Sequence, residues 1–281
     1  MEKGSGHCLC GAVRYAFDGP PLWQNHCHCE SCRRATASGF TSFFSLPKAQ
    51  VRWSGKAKPY ASSPGVTRRF CGTCGTPLSY ETAARPDDID LYAATLDDPA
   101  AFRPTDHEHW EDHLPWIVPG DGLPRIASPR LMRPDEDFAP MLSLIRTAFA
   151  GMEGRIDPPS SANRLTTDDL RAAAEAGEVW AVEANDRPVG AMVLTFRQDS
   201  LYLGKLAVDA AWRRQGFARA LVRVAARRAK ERSLPAVELQ TRVELTENHR
   251  AFQAMGFIRT GESAHPGFDR PTTVHYRLNV S

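Results

Sequence analysis

The sequence predicts two domains, an all-β domain followed by an α/β domain with a mostly antiparallel central sheet. Three observations support this prediction. The chain has 281 residues, a length at which two domains are more common than one. All seven cysteines lie within the first 74 residues, where short strand-like segments dominate. The later part of the chain instead mixes helical and strand patterns.

The first part consists of short aromatic and β-branched segments separated by Gly, Pro, Ser or Asp. Such a pattern is typical of strands joined by tight turns. We therefore expect strands at residues 13–17, 39–45, 49–53, 66–70 and 89–94. Turn-forming residues at 119–124 and at Ser128-Pro129 mark a boundary, and we expect domains at 1–125 and 126–281.

The second part begins with two helical patterns, and an antiparallel meander of three strands follows. A glycine-containing loop then opens a helix whose apolar residues share one face. A strand, a short helix and a final strand complete this α/β pattern. The expected helices are 138–149, 167–176, one containing Ala218, Leu221, Val222, Ala225 and Ala229, and 247–255; the expected strands are 179–184, 188–195, 201–208, 237–241 and 273–278.

Composition excludes few classes of protein. Charged residues make up 24% of the chain and the net charge is +2, so we expect no nucleic-acid partner. No apolar run approaches the ~20 residues of a membrane span, and none resembles a secretory signal. We expect a cytoplasmic protein without a membrane partner, and there clustered cysteines indicate metal rather than disulfides. The sequence leaves the oligomeric state unknown.

The first and last cysteines form two close pairs, Cys8/Cys10 and Cys71/Cys74. On a strand, Cys8 and Cys10 would point to one side, and Cys71-x-x-Cys74 before Gly75 is typical of a knuckle turn. Two such pairs supply the four thiolates of a closed, structural zinc site. The alternative is a set of reduced cysteines that bind no metal.

The remaining cysteines, Cys27, Cys29 and Cys32, provide three ligands within six residues. Three protein ligands leave the open position that a catalytic zinc needs for a thiol or water. The alternative is a second structural zinc whose fourth ligand is His26, His28 or His109.

Three motifs in the first part resemble the glutathione-dependent formaldehyde-activating (GFA, CENP-V-like) family over residues 5–125. They are GHCLCGAVRY at 6–15, CHCESCR at 27–33 and FCGTCGTPL at 70–78. The resemblance implies a β-tent fold with two zinc sites. Structural zinc would bind Cys8, Cys10, Cys71 and Cys74, and labile zinc would bind Cys27, Cys29 and Cys32.

The family's name reaction joins glutathione and formaldehyde to form S-hydroxymethylglutathione and is classed with the carbon–sulfur lyases. Glutathione or another thiol is therefore a candidate partner. One departure concerns a glycine that the family often has a few residues after its C-R pair. Here residues 35–38 precede Gly39, which affects the shape of the pocket beside the second zinc.

The loop at 213–218, RRQGFA, opens a predicted helix. Helix N-termini present unpaired N–H groups and partial positive charge, which suit a pyrophosphate. Gly216 and Ala218 allow close backbone approach, and Arg213 and Arg214 add charge. Its position after an antiparallel meander argues against a dinucleotide-binding fold.

This part resembles the GNAT acyltransferases over residues 130–280. Their [QR]-x-x-G-x-[GA] motif matches 213–218, and their N-x-x-A…G-F signature matches 248–251 and 256–257. The resemblance implies acetyl-CoA as cofactor and a small amine as acceptor. The pantetheine arm of acetyl-CoA would lie along Leu206, Ala207 and Val208, and Asn248 would lie near its thioester. The pyrophosphate would contact the loop residues Arg213, Arg214, Gln215, Gly216, Phe217 and Ala218.

The sequence departs from the GNAT pattern at Phe252, where many members have a tyrosine that protonates the CoA sulfur. Tyr202, Tyr276 or water would have to replace it, and the candidate bases are Glu238 and Glu244. Acceptor specificity in this family is set by the segment between the first two helices, here 154–161. We expect Arg155, Ser160 and Ser161 to orient the acceptor; the alternative is an ordinary surface loop.

The sequence thus predicts a bifunctional fusion of an acetyl-CoA-dependent N-acetyltransferase and a zinc-dependent carbon–sulfur lyase-type domain. In one alternative, the zinc domain is a non-catalytic module that binds a thiol or a partner. In another, the second domain binds CoA only as a regulator.

Overall fold

The structure, a computed structural model, describes residues 1–280. The chain divides into two compact units, Met1–Ser128 and Pro129–Ser281, called here the first and second domains. None of the helices within the described residues is long and apolar enough to cross a membrane.

The first domain contains two β-sheets and one short α-helix. Strands β1, β2 and β5 form a three-stranded antiparallel sheet, and the other strands form a sheet of order β11-β10-β3-β4-β9-β8-β7-β6. Only β10 pairs in parallel within this second sheet, with β3 and β11. The elements are β1 (Lys3–His7), β2 (Arg14–Asp18), β3 (Trp23–Cys27), α1 (Glu30–Thr36), β4 (Thr41–Pro47), β5 (Val51–Ser54), β6 (Ala57–Ser63), β7 (Val66–Cys71), β8 (Pro77–Thr82), β9 (Arg85–Tyr92), β10 (His107–Glu108) and β11 (Arg125–Ile126).

The two sheets of the first domain pack against each other through alternate residues of their strands. Tyr15 and Phe17 of β2 are buried, as the period of two in a half-buried strand requires. The ring of Phe17 lies 5.4 Å from that of Phe44 on β4. Two smaller apolar clusters contain the cysteines, one Cys8 and Cys71, the other Cys27 and Cys32.

The predicted strands of the first domain are all present with shifted ends, so its strand-rich class is confirmed. Sequence reasoning missed six strands, β1, β3, β6, β8, β10 and β11, and the helix α1. It was wrong about Cys8 and Cys10, which lie in the loop after β1 and not on a strand. The helix was missed because its seven residues are too few to display an apolar period.

The second domain has a sheet of order β12-β13-β14-β15-β16-β18-β17 with four α-helices. All its neighbouring strands are antiparallel except β15 and β16. The predicted α/β class with a mostly antiparallel sheet is therefore confirmed. The elements are β12 (Arg130–Leu131), α2 (Ala139–Ala150), α3 (Thr167–Ala176), β13 (Glu178–Ala184), β14 (Arg187–Phe196), β15 (Leu201–Val208), α4 (Phe217–Glu231), β16 (Ala236–Arg242), α5 (Thr246–Ala254), β17 (Ile258–Ser263) and β18 (Thr273–Asn279).

Helices cover both faces of this sheet. Ala191 of β14 lies in one apolar cluster with Met141 and Ile145 of α2. The preceding residue, Gly190, points to the other face, where a Cβ atom would lie 3.4 Å from Leu221 of α4. Successive strand residues face opposite sides, so α2 and α4 cover different faces.

Candidate functional site

The four cysteines at the edge of the first domain form one group. The sulfur atoms of Cys8, Cys10, Cys71 and Cys74 all lie within 4.8 Å of one another. Two tight turns bring them together, because the amide of Gly75 donates to the carbonyl of Cys71 at 2.9 Å and that of Gly11 donates to Cys8 at 2.9 Å.

Both turn glycines have positive φ, 73° at Gly11 and 78° at Gly75, a region that favours glycine. The local sequence thus folds each cysteine pair into a loop whose sulfur atoms converge.

Hydrogen bonds favour the thiolate form of two members of this group. The amide of Val13 donates to Cys8 Sγ at 3.3 Å, and hydrogen bonds from Thr76 lower the pKa of Cys74 to about 5. Cys8 and Cys71 are fully buried. Four sulfur donors, two of them buried, fit the closed tetrahedral set of a structural zinc.

The second group consists of Cys27, Cys29 and Cys32, whose sulfur atoms also lie within 4.8 Å of one another. Cys27 ends β3, Cys29 is the N-cap of α1 and Cys32 lies in its first turn. The amide of Cys32 donates to Cys29 Sγ at 3.4 Å, so one sulfur atom replaces the oxygen of a usual capping residue.

These three thiols oppose one another's ionisation. The neighbouring Cys29 and Cys32 raise the pKa of Cys27, whereas hydrogen bonds from Cys27 and Cys32 lower that of Cys29. Crowded thiols of this kind cannot all become thiolates without a nearby cation. The donor set therefore fits a divalent metal ion with three protein ligands.

Two of the histidines considered as a fourth ligand, His26 and His109, have Nδ1 in contact with a serine hydroxyl group. Among residues 1–280, no histidine nitrogen joins this group of sulfur atoms. His26 Nδ1 lies 2.9 Å from Ser42 Oγ, and His109 Nδ1 lies 3.0 Å from Ser128 Oγ. The described geometry favours an open fourth position over a second closed site.

Within the described residues, His28 is not part of the group formed by the three sulfur atoms. It is fully buried, its Nε2 lies 2.9 Å from His107 Nδ1, and His107 Nε2 lies 3.1 Å from Asp121. Arg33 Nε donates to the carbonyl of His28 at 2.9 Å. These contacts fix the backbone between Cys27 and Cys29.

Arg68 on β7 is a site residue that sequence reasoning missed. Only 7% of its surface is exposed, and its guanidinium group donates to Tyr92 Oη at 2.9 Å, Ser31 Oγ at 3.1 Å and Cys32 Sγ at 3.6 Å. The group also lies 4.8 Å from the centre of the Tyr80 ring. The signal that could have identified it is a basic residue at a strand position that shares a face with Val66 and Phe70.

In the second domain, β15 and β16 pair only where they begin. Their register consists of Leu201↔Val237 and Tyr202↔Glu238, although β15 continues to Val208 and β16 to Arg242. The strands therefore diverge and leave a cleft between them. Leu206, Ala207 and Val208 lie on the diverging half of β15, with Ala207 buried against α2.

The loop at 213–218 follows this half of β15 and leads into α4. Arg214 and Gly216 have positive φ angles, 64° and 91°. Gly216 is the N-cap of the helix, and no side chain caps it. The amides of the first turn, from Phe217 onward, are thus available to an anion.

The side chains of this loop differ in their contacts. Arg213, Arg214 and Gln215 are exposed, and Gln215 Nε2 donates to Ala211 O at 3.2 Å. Ala218 is half-buried.

The predicted acid–base residues fall at two places. Asn248 lies near the open end of β16, with Nδ2 3.4 Å from Thr241 Oγ1. Glu244 lies just beyond that strand and has a buried Oε2 without a hydrogen-bond partner within the described residues. Glu238 instead lies at the paired end, where Arg277 donates to it at 2.6 Å. The rise of a strand is about 3.3 Å per residue, so Glu238 is far from the loop.

The predicted acceptor segment is held by ion pairs and hydrogen bonds. Arg155 Nη2 donates to Glu247 at 2.6 Å, and Lys205 Nζ donates to Ser161 Oγ at 2.6 Å. Ser160 caps a 3₁₀ turn. It also lines a cavity of about 250 Å³ with Glu153, Gly154, Ile156, Pro159 and Asn163. Of the three predicted residues, only Ser160 faces this cavity.

Fold and sites define a two-domain chain, one domain with two cysteine groups and the other with a split sheet and a helix N-terminus. Residues 3–112 match the family model of the glutathione-dependent formaldehyde-activating enzyme. Residues 142–257 match that of the acetyltransferase (GNAT) family. The predicted resemblance of each half is thus confirmed.

Individual relatives cover single domains. An uncharacterised lyase of Schizosaccharomyces pombe is 37% identical over 82 residues, 28% of this chain and 58% of the relative. N-acetyltransferase 8 of Homo sapiens is 32% identical over 102 residues, 34% of this chain and 45% of the relative. The chain therefore spans about half the length of these curated relatives.

Among solved structures, a GNAT-family acetyltransferase of Staphylococcus aureus aligns with a TM-score of 0.44 at 15% identity. The alignment covers 55% of this chain and all of that one.

Proposed function

We propose that the chain is a bifunctional enzyme, an acetyl-CoA-dependent N-acetyltransferase acting on a small amine joined to a zinc-dependent carbon–sulfur lyase-type domain. The observation that carries the first activity is the divergence of β15 from β16 next to the uncapped N-terminus of α4. The observation that supports the second is the group of three cysteines without a fourth protein ligand in the described chain.

The cleft between β15 and β16 suits an extended acyl carrier. Beyond Tyr202, the edge of β15 that faces β16 is released from the ladder, and its backbone groups need partners. The amides of a pantetheine arm would supply them along Leu206, Ala207 and Val208. The pyrophosphate would then meet the amides of Gly216 to Ala218 and the charges of Arg213 and Arg214.

Acetyl transfer to an amine needs a group that takes a proton from the amine and one that protonates the CoA sulfur. Glu244 is our candidate base, since its carboxylate lies beyond the open end of β16 with one oxygen unpaired. Tyr276 is our candidate acid, since its ring lies 6.1 Å from that of Phe252. Both assignments follow from location and chemistry.

In the first domain, Cys27, Cys29 and Cys32 would hold the second zinc and Cys8, Cys10, Cys71 and Cys74 the first. When bound at the three-cysteine site, zinc would supply an open position at which a thiol is held as its thiolate. Addition of that sulfur to the carbon of formaldehyde forms the C–S bond, and the carbonyl oxygen takes up a proton. Glutathione is the proposed thiol.

A pair of assays with the full-length protein tests this proposal. Transfer of the acetyl group from acetyl-CoA to a panel of small amines is followed by mass spectrometry, because thiol reagents would react with the protein's own cysteines. Formation of S-hydroxymethylglutathione from glutathione and ¹³C-formaldehyde is followed by NMR against the uncatalysed rate.

The controls are one variant per domain. Cys29→Ser should abolish only the lyase activity, and Gly216→Val should impair only the transferase. Binding of glutathione without turnover would replace the lyase with a thiol-binding module, and binding of acetyl-CoA without acetylation of any amine would assign the second domain a regulatory role.

A further inference from the structure

The further inference concerns Arg68, whose buried charge has an unusual set of partners. Its guanidinium group donates hydrogen bonds to a phenol, a hydroxyl and the sulfur of Cys32. Within residues 1–280, no carboxylate oxygen lies within 4.0 Å of its guanidinium nitrogens. A buried cation without an anionic partner is unfavourable, so a negative charge at the cysteines would stabilise Arg68.

The neighbouring residue provides a contrast. Arg69 points to the other face of β7, where it donates to Glu81 at 2.7 Å and keeps 37% of its side chain exposed. The two arginines are adjacent on one strand, yet one has a conventional carboxylate partner and the other has the three-cysteine site.

The charge balance at that site explains why a cation is useful there. A zinc ion with three thiolates carries one net negative charge, and Arg68 cancels it. A further thiolate would add a second negative charge in a pocket lined by Phe43 and Tyr92, where charge is poorly solvated. A neutral ligand such as water or imidazole adds none. The guanidinium group lowers the cost of that second negative charge and hardly changes the binding of a neutral ligand, so it raises the affinity for an anionic fourth ligand relative to a neutral one.

We propose that Arg68 determines the ligand specificity of the three-cysteine site, by raising the affinity of its fourth position for a thiolate relative to neutral ligands. This inference rests on the proposed binding of zinc by Cys27, Cys29 and Cys32. Arg68 acts here as a positioning and specificity residue, held in place by Tyr92, Ser31 and the ring of Tyr80.

The test uses the full-length protein with cobalt(II) in place of zinc, because the visible absorption of cobalt reports its ligands without any turnover. Two probes differ in charge: 2-mercaptoethanol, which binds as a thiolate and carries no other charge, and imidazole, which binds as a neutral ligand. Dissociation constants for both are measured at one pH in the wild type and in Arg68→Met, Arg68→Lys and Arg69→Met.

The expected result is selective. Arg68→Met should weaken binding of 2-mercaptoethanol by about tenfold or more and that of imidazole by less than about threefold. Arg68→Lys should restore most of the thiol affinity, and Arg69→Met should change neither constant. Equal weakening of both probes, or no change in either, would overturn the inference.

Metal content separates this inference from the proposal beneath it. If the wild-type protein takes up only one cobalt ion per chain, both the proposed second metal site and the inference are wrong. If it takes up two, and Arg68→Met changes the dissociation constants of both probes equally, the inference alone is wrong. Loss of the second cobalt from Arg68→Met but not Arg68→Lys would support the need for a cation. Loss of the second cobalt from both variants would show that Arg68 only packs against the site, and would overturn the proposal.

Discussion

The hydroxyl of Tyr276 lies 2.9 Å from Nδ1 of His249. Because Nε2 of His249 lies 3.2 Å from the carbonyl of Val243, which only accepts, the proton of neutral His249 resides on Nε2. Nδ1 is then an acceptor, and Tyr276 donates to it. The pair thus combines a phenolic proton with a histidine that holds it in a fixed direction.

This pair leads to a prediction for the acetyltransferase. Tyr276→Phe should lower kcat by about a hundredfold or more, since a positioned acid contributes on that scale, and should leave the KM for acetyl-CoA nearly unchanged. Steady-state kinetics provides the measurement, with Tyr202→Phe, at the paired end of β15, as the control. If the wild type and both variants have the same kcat, neither tyrosine is the acid and water protonates the CoA sulfur.

A second prediction concerns metal stoichiometry. Cys29→Ser should reduce the zinc content from two ions per chain to one while the first domain stays folded, because the four-cysteine group is untouched. Cys71→Ser should lose zinc and also destabilise the domain, since Cys71 belongs to a buried cluster with Val13 and Leu78. Elemental analysis and thermal unfolding measure both effects. Thr73→Ala changes a residue of the same turn that is not a proposed ligand, so this variant should keep both metal ions. Loss of one metal ion from it would contradict the ligand assignment.

A third prediction concerns the turn at Gly75. Its φ is 78°, and a Cβ atom there would meet nothing within 4 Å, so any penalty comes from backbone conformation alone. Gly75→Ala should cost roughly 1–2 kcal/mol of unfolding free energy, and Gly75→Asn should cost less because Asn tolerates this region. Gly120→Ala also meets nothing within 4 Å but lacks a positive φ, and it should cost little. Similar values for the alanine variants would refute this account.

A fourth prediction concerns the start of α4. Gly216 also has a positive φ and open space around it. Gly216→Ala should strain the loop that presents the first helical amides, and so raise the KM for acetyl-CoA severalfold with little change in kcat. Gly151→Ala, at the end of α2 without a positive φ, is the matched control. An unchanged KM would separate this loop from the cofactor.

A fifth prediction follows from Glu178, whose side chain is 5% exposed. Burial alone would raise its pKa, but hydrogen bonds from Arg228 and Trp180 outweigh burial and lower the pKa below the ordinary 4.5. A lowered pKa in the folded state adds stability above the unfolded-state value, and that stability is lost as the pH falls through the folded-state value.

Glu178→Gln should therefore destabilise the second domain by about 2 kcal/mol or more at pH 7, and the difference from wild type should shrink below pH 4.5. Urea unfolding at pH 7 and at lower pH measures it. Glu175→Gln, at an exposed position on α3, serves as the control. If acid releases metal from the first domain, it does so equally in this variant. A penalty independent of pH would contradict the ionic role.

Local chemistry explains which features could be predicted from the sequence. The β13–β14 hairpin was predictable because Asn185 and Asp186 accept the positive φ angles of 50° and 61° that its turn adopts. Helix α3 was predictable because Thr166 and Asp169 form a capping box. The cysteine groups were predictable because ligand spacing is a local property, and the structure brings the sulfur atoms of each group together.

Features that depend on distant pairing were not predictable. Arg68 reaches Cys32 only because β7 lies between β6 and β8 in one register, with Tyr80 opposite Arg68. The location of Glu238 at the paired end of β15 and β16 likewise depends on where the strands separate. Strand β17 was missed because all its residues are exposed, so it has no alternation of apolar and polar residues.

Strand β17 also bears on self-association. It ends the sheet of the second domain and, within the described residues, pairs only with β18. Such an edge can recruit a strand from another molecule and start aggregation. Here the pairing is irregular between Arg259 and Gly261, and the charges of Arg259 and Glu262 lie along the strand. A kinked, charged edge is a poor template for a strand of another chain, so this border of the sheet is protected against edge-to-edge pairing.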